Sequence, residues 1–129
     1  MQLDRKYLVW ALCYAVAGMG LGIYMAASHQ HAQHVTHAHL LLLGFVASLV
    51  YGVIHKLWLE GQSKGMAVAQ LFVHQLGVLG MCSGLFLLYG GFVGGAVLEP
   101  LLGVASIAVL LGVVLMLRMV LTSRSDAWA

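Results

Sequence analysis

Apolar residues run along this chain in four long blocks, separated by short stretches that are polar or rich in glycine. The blocks cover Tyr7–Ala27, Thr36–Trp58, Met66–Tyr89 and Leu98–Leu121. Each supplies the ~20 residues that an α-helix, rising about 1.5 Å per residue, needs to cross roughly 30 Å of hydrocarbon. The pattern therefore predicts an all-α, four-transmembrane-helix bundle that forms a single integral membrane domain over residues 1–129. Small residues recur at intervals of four within the blocks: Gly18 and Gly22, then Gly44, Ser48 and Gly52, then Gly80 and Gly84. Such spacing lets helices approach closely. Packing within one bundle is the expectation.

Composition sharpens this picture. With 62% hydrophobic and 8% charged residues, a soluble globular domain is excluded. The first block follows Arg5 and Lys6 and ends near "MAAS", but its apolar part exceeds the roughly 7–15 residues of a signal-peptide core. Met25 also sits badly for a small-x-small cleavage site, so the block reads as a span. Arg5, Lys6, Lys56, Lys64, Arg118 and Arg124 fall at the N-terminus, in the second loop or at the C-terminal end. The positive-inside rule then places both termini and the second loop in the cytoplasm. The histidine-rich first loop and the glycine-rich third loop, "GGFVGGAVLEP", face outward, into the periplasm if the membrane is a bacterial inner membrane. The net charge of +2 reflects this topology, and no basic stripe points to nucleic acid. Cys13 and Cys82 fall at different depths on two helices that run the same way, which argues against a disulfide or thiolate metal site.

Polar side chains inside a span need partners, because lipid offers none. Those here are His37, His39, Gln70, His74 and Gln75, with His55 and Arg118 nearer the cytoplasmic ends. His55, beside Lys56, is expected to meet water and headgroups. Five histidines fall in the eleven residues from His29 to His39. Neutral imidazole is a common metal ligand and an axial ligand of haem iron. His29, His31 and His34 belong to the first loop, whereas His37 and His39 stand where the second apolar block has begun. Two residues apart on a helix means a turn of about 200°, so His37 and His39 point to nearly opposite sides. One helix thus serves two different sites with one ligand each, unlike the same-face spacing of H-E-x-x-H zinc sites. A turn near Gly61 sets His74 level with about Leu49, roughly 15 Å below His39. His74 is therefore read as a separate buried polar residue bonded to Tyr51, Ser48 or a carbonyl, and as a haem ligand only secondarily.

The segment "VTHAHLLLLGF" resembles the H-x-H stretch of haem-copper oxidase subunit I, where a helix reading V-A-H-[FL]-H ligates two haems. The wider set "YAVAGMGLGIYM", "HAHLLLLGFVASLVYGVIHKLW" and "HQLGVLGM" is similar to short four-helix proteins described as cytochrome c oxidase subunit I-like. This second resemblance covers roughly Tyr7 to Leu121. The oxidase core has twelve helices in approximate threefold symmetry, four per arc, with its H-x-H on a second helix. The resemblance thus implies one arc of that core, assembled as a homotrimer. It further implies one b-type haem held between His37 of one protomer and His39 of the next, repeated by closed symmetry.

The chain departs from the oxidases in having no second histidine cluster for copper and no histidine–tyrosine pair. Oxygen reduction is not expected, and six-coordinate haem suits electron transfer to or from a redox partner. Two other readings compete. In one, His29, His31, His34 and one of His37 or His39 gather at the outer surface as a copper or zinc binding module. The only outward acid, Glu99, sits beside Pro100 and punctuates the third loop. In the other, the chain is a cofactor-free structural or oxidase-accessory subunit. Transport is the weakest fit, since no intramembrane carboxylate and no paired broken helices are present.

Overall fold

The computed structural model describes residues 2–59 and 63–123. Gly61, the expected turn, and Arg124, one of the six cations, lie outside the described residues. Four helices carry the fold: α1 (Leu3–Ser28), α2 (His34–Trp58), α3 (Lys64–Tyr89) and α4 (Gly95–Thr122), all long and apolar enough to cross a membrane. No strand occurs among the described residues. Every helix outruns its apolar block, because backbone N–H and C=O groups near hydrocarbon stay paired only while the helix continues.

Two boundaries differ from the pattern. His34, assigned to the first loop, is the first residue of α2. The third loop shrinks to residues 90–94, where Gly91 takes a left-handed φ of 70° that an L side chain resists. Glu99 and Pro100 consequently lie inside α4, not in the loop. Pro100 is the sixth residue of α4, so the Ala96 carbonyl lacks its usual i+4 donor in the second turn.

Successive helices pack as antiparallel neighbours, α1 extensively on α2 and α3 extensively on α4, with a smaller contact between α2 and α3. Glycines set the first of these distances. A Cβ at Gly18 would fall 2.7 Å from Leu41 Cδ2, one at Gly44 would fall 2.5 Å from Tyr14 Cγ, and one at Gly52 would fall 3.2 Å from the Asp4 carbonyl oxygen. Between α3 and α4, a Cβ at Gly84 would fall 2.8 Å from Leu102 Cδ2 and one at Gly77 3.0 Å from Val109. The small-residue spacing is thus used within the subunit.

α3 is the central helix. Half of its apolar window (50%) is buried inside the subunit, against 17% for α4, which turns most of its surface outward. At the end carrying Lys56 and Lys64, here the lysine end, Tyr7, Tyr51, Leu59, Ala67, Leu71, Met116 and Met119 form one cluster drawn from all four helices. Tyr7 finds its hydrogen-bond partner inside the bundle. The Tyr7 hydroxyl donates to Gln70 Oε1, and Gln70 Nε2 donates to the Gly112 carbonyl at 3.1 Å. These bonds tie α1, α3 and α4 together where lipid would offer no partner.

α2 is not a uniform α-helix. Residues Leu40–Val46 form a π-type segment, closed where Ala47 N–H bonds the Leu42 carbonyl five residues back. Such wide turns are uncommon and recur at functional sites. The four consecutive leucines satisfy an i−4 or an i−5 ladder equally well, so the sequence holds no sign of it.

Gly44→Leu is expected to lose about 1–3 kcal/mol through overpacking against Tyr14. Gly20→Ala, at a position with nothing within 4 Å of its new methyl, is expected to match or exceed wild type. Thermal unfolding of the two purified variants in one detergent checks both. Equal melting temperatures would show that α1 and α2 do not depend on the contact.

Candidate cofactor site

The first turn of α2 is fixed by two residues that the apolar pattern passes over. Gln33 caps the helix and is only 7% exposed, and Thr36 is 2% exposed. Thr36 Oγ1 donates to Gln33 Oε1 at 2.7 Å, while Gln33 Nε2 donates to the Phe86 carbonyl of α3 at 3.0 Å. The residue types are those of a capping box in reverse order and the bond runs between the two side chains, so the usual cap signal does not mark this lock in the sequence.

His37 and His39 rise from the turn so anchored, and both are half-buried. His37 Nδ1 lies 2.7 Å from the Gly18 carbonyl oxygen of α1. The ring rests against Gly22, where a Cβ would come within 2.8 Å of His37 Cε1. His39 Nδ1 lies 2.8 Å from the Val35 carbonyl oxygen of its own helix. The Val35 side chain packs with Met81, Leu85 and Ala105 of α3 and α4. The two imidazoles therefore occupy different sides of α2, one against α1 and the other on the Val35 side.

Both contacts have the same chemical meaning. A carbonyl oxygen only accepts, so the proton in each ring belongs on Nδ1 and the lone pair on Nε2. A ring N–H held by a carbonyl is also the usual support behind a metal-bound histidine, orienting the ring and raising its basicity. The donor set thus fits two Nε2 ligands for iron, and Gly22 supplies space for the His37 ring that any side chain would fill.

The loop histidines are placed otherwise. His29 ends α1 in a left-handed conformation with φ 55°, and His31 and His34 are likewise exposed. His34 Nδ1 bonds the His31 carbonyl at 2.9 Å, and its ring lies 6.4 Å from that of Tyr89. Among the described residues, no three His, Cys, Asp or Glu side chains come together as a metal-holding group. Cys13 and Cys82 are both free, the first exposed and the second buried.

His74 is fully buried on α3, with Nε2 3.4 Å from Ser48 Oγ and its ring edge-on to Tyr51 at 4.8 Å. These neighbours agree with the depth count and keep it apart from His37 and His39. The Leu43 backbone also acts on the ring, but Nδ1 has no hydrogen-bond partner of normal geometry. His55 departs from expectation: instead of facing only water and headgroups it is half-buried and stacks on Tyr7 at 5.4 Å.

No protein-family model matches the chain, and neither a curated protein nor a solved structure matches it.

Gln33→Leu removes both bonds of the α2 lock and is expected to cost about 1–3 kcal/mol, since the buried Thr36 hydroxyl loses its acceptor, while the Phe86 carbonyl keeps the Gly90 N–H at 2.9 Å. Amide hydrogen exchange should quicken over the first turn of α2 and stay slow in the middle of α3. Wild-type exchange throughout would show that the lock holds nothing.

Proposed function

We propose that this chain is a b-type haem-binding protein of a membrane, serving electron transfer, in which His37 and His39 supply axial ligands from neighbouring protomers of a homotrimer. The observation that carries this reading is the pair of carbonyl-anchored Nδ1 atoms, which leaves Nε2 of each ring as a preoriented ligand. The resemblance of "VTHAHLLLLGF" to the H-x-H helix of haem-copper oxidase subunit I supports it independently.

The requirement for more than one copy follows from the placement of the rings. His37 faces α1 and His39 lies on the Val35 side, so a single helix does not present both to one iron. A closed ring of three copies gives each His37 a partner from the next subunit. The large outward surface of α4 suits contact with lipid around such a ring. Bound haem would contribute reversible one-electron chemistry at its iron, and two imidazoles leave no coordination position for a substrate. The protein's part is to orient the rings, fix their tautomers and exclude water.

The cation distribution supports cytoplasmic termini and an outward histidine-rich end. Oxygen reduction is not part of the proposal. The copper or zinc alternative requires His29, His31 and His34 to converge, and no observation favours it.

Protein purified from haem-sufficient cells is expected to show a Soret band and a reduced-minus-oxidised spectrum typical of bis-histidine haem. His37→Ala and His39→Ala should each abolish it, whereas His31→Ala should leave it intact. A colourless wild-type protein would overturn the proposal.

A further inference from the structure

Where the wide turns of α2 give way to the ordinary helix, one carbonyl is passed over. Ala47 N–H bonds the Leu42 carbonyl five residues back, and from Ala47 onward the chain is α-helical. The next amide, that of Ser48, therefore reaches four residues back to Gly44. The Leu43 carbonyl falls between the two ladders and receives no amide from its own helix. In a membrane-spanning bundle such a group is costly unless another element supplies a donor.

Helix α3 brings His74 to that point. The ring is fully buried and interacts with the Leu43 backbone. Its Nε2 lies 3.4 Å from Ser48 Oγ, so the imidazole spans the junction, with Leu43 on one side and Ser48 on the other. Tyr51 meets the ring edge-on at 4.8 Å. α4 backs it closely, since a Cβ at Gly112 would fall 3.2 Å from His74 Cβ.

The protons can be assigned around this ring. Ser48 Oγ accepts from Gln75 Nε2 at 3.1 Å, which leaves the hydroxyl proton for His74 Nε2. Nε2 then carries the lone pair of the ring and Nδ1 its proton. Nδ1 has no partner of normal geometry, and the Leu43 carbonyl has no donor from its helix. One is a donor and the other an acceptor, and they meet at the same junction. The opposite tautomer would set a nitrogen lone pair against a carbonyl oxygen, two acceptors with no proton between them.

We propose that His74 is a positioning residue: its Nδ1–H serves the Leu43 carbonyl, holds the wide turns of α2 in place, and so fixes how the His37–His39 turn is rotated about the helix axis. The backbone part stands by itself, whereas the consequence for the two imidazoles rests on the haem reading.

Nitrogen-15 spectra of the full, histidine-labelled chain in detergent at neutral pH give the tautomer, with His74 assigned through its own backbone resonances. A neutral ring protonated on Nδ1 is expected. A proton on Nε2 alone, or a charged ring, would overturn the proposal whatever the cofactor content. Two variants then test the positioning. His74→Asn sets an amide group where Nδ1 stood, while His74→Leu keeps bulk and loses the donor. In haem-loaded protein the low-spin electron paramagnetic resonance g values report the mutual orientation of two axial imidazoles. They are expected to shift in His74→Leu and to return toward wild type in His74→Asn. Wild-type g values in a folded His74→Leu protein, or equal shifts in both variants, would sink the positioning role. A colourless wild-type protein would remove the haem reading and leave the tautomer to decide whether His74 serves Leu43.

Discussion

The bundle depends first on how closely α1 can lie against α2. Gly18, Gly22, Gly44 and Gly52 remove side chains along the whole contact, and larger groups from the opposite helix occupy the space. Tyr14 crosses at Gly44, the His37 ring lies on Gly22, and Tyr7 reaches past Gly52 into the four-helix cluster at the lysine end. Without this approach the Gly18 carbonyl would not reach His37 Nδ1. The candidate ligand and the core are therefore consequences of one helix contact. In lipid such contact matters more than in water, because apolar side chains gain little by leaving one hydrocarbon surface for another.

A second constraint acts on the interior. Gln70, His74 and Gln75 put three polar side chains on the most buried helix: Gln70 is tied to Tyr7 and Gly112, His74 to Ser48 and Tyr51, and Gln75 also to Ser48. These links fix the register of α3 against the other helices more sharply than apolar packing does, since a shift of one residue would strand them. The interior nevertheless leaves several polar atoms unpaired, among them His74 Nδ1 and His55 Nε2. Native interiors leave few such groups, so the bundle is specified by its hydrogen bonds without being saturated by them.

Much of this was legible in the residues. Hydropathy alone located all four helices, because a membrane span is the longest and most uniform signal a sequence carries. The separation of His74 from His37 and His39 came from counting rise along two antiparallel helices, and its contact with Ser48 lies one residue from that count. The divergence of His37 from His39 followed from the same arithmetic. What remained hidden depends on partners distant in sequence. Nothing near Gln33 announces the Phe86 carbonyl, and nothing near Tyr14 announces that Gly44 will admit its ring. His55 looked like an interfacial residue because Lys56 follows it, and only the path of α1 brings Tyr7 against it.

The π-type segment of α2 separates two tasks along one helix. Above it stand His37 and His39; below it Ser48 and Tyr51 hold the polar interior. Because a wide turn accommodates an additional residue without breaking the helix, the segment acts as an angular offset between the two halves. Running the same residues as an ordinary ladder, without the wide turn, would swing the histidine turn by about 100° relative to the interior. The direction in which each imidazole meets a neighbouring subunit is thus set by a backbone irregularity in a stretch of plain leucines. Side chains of unremarkable chemistry determine the aim of those that carry the proposed function.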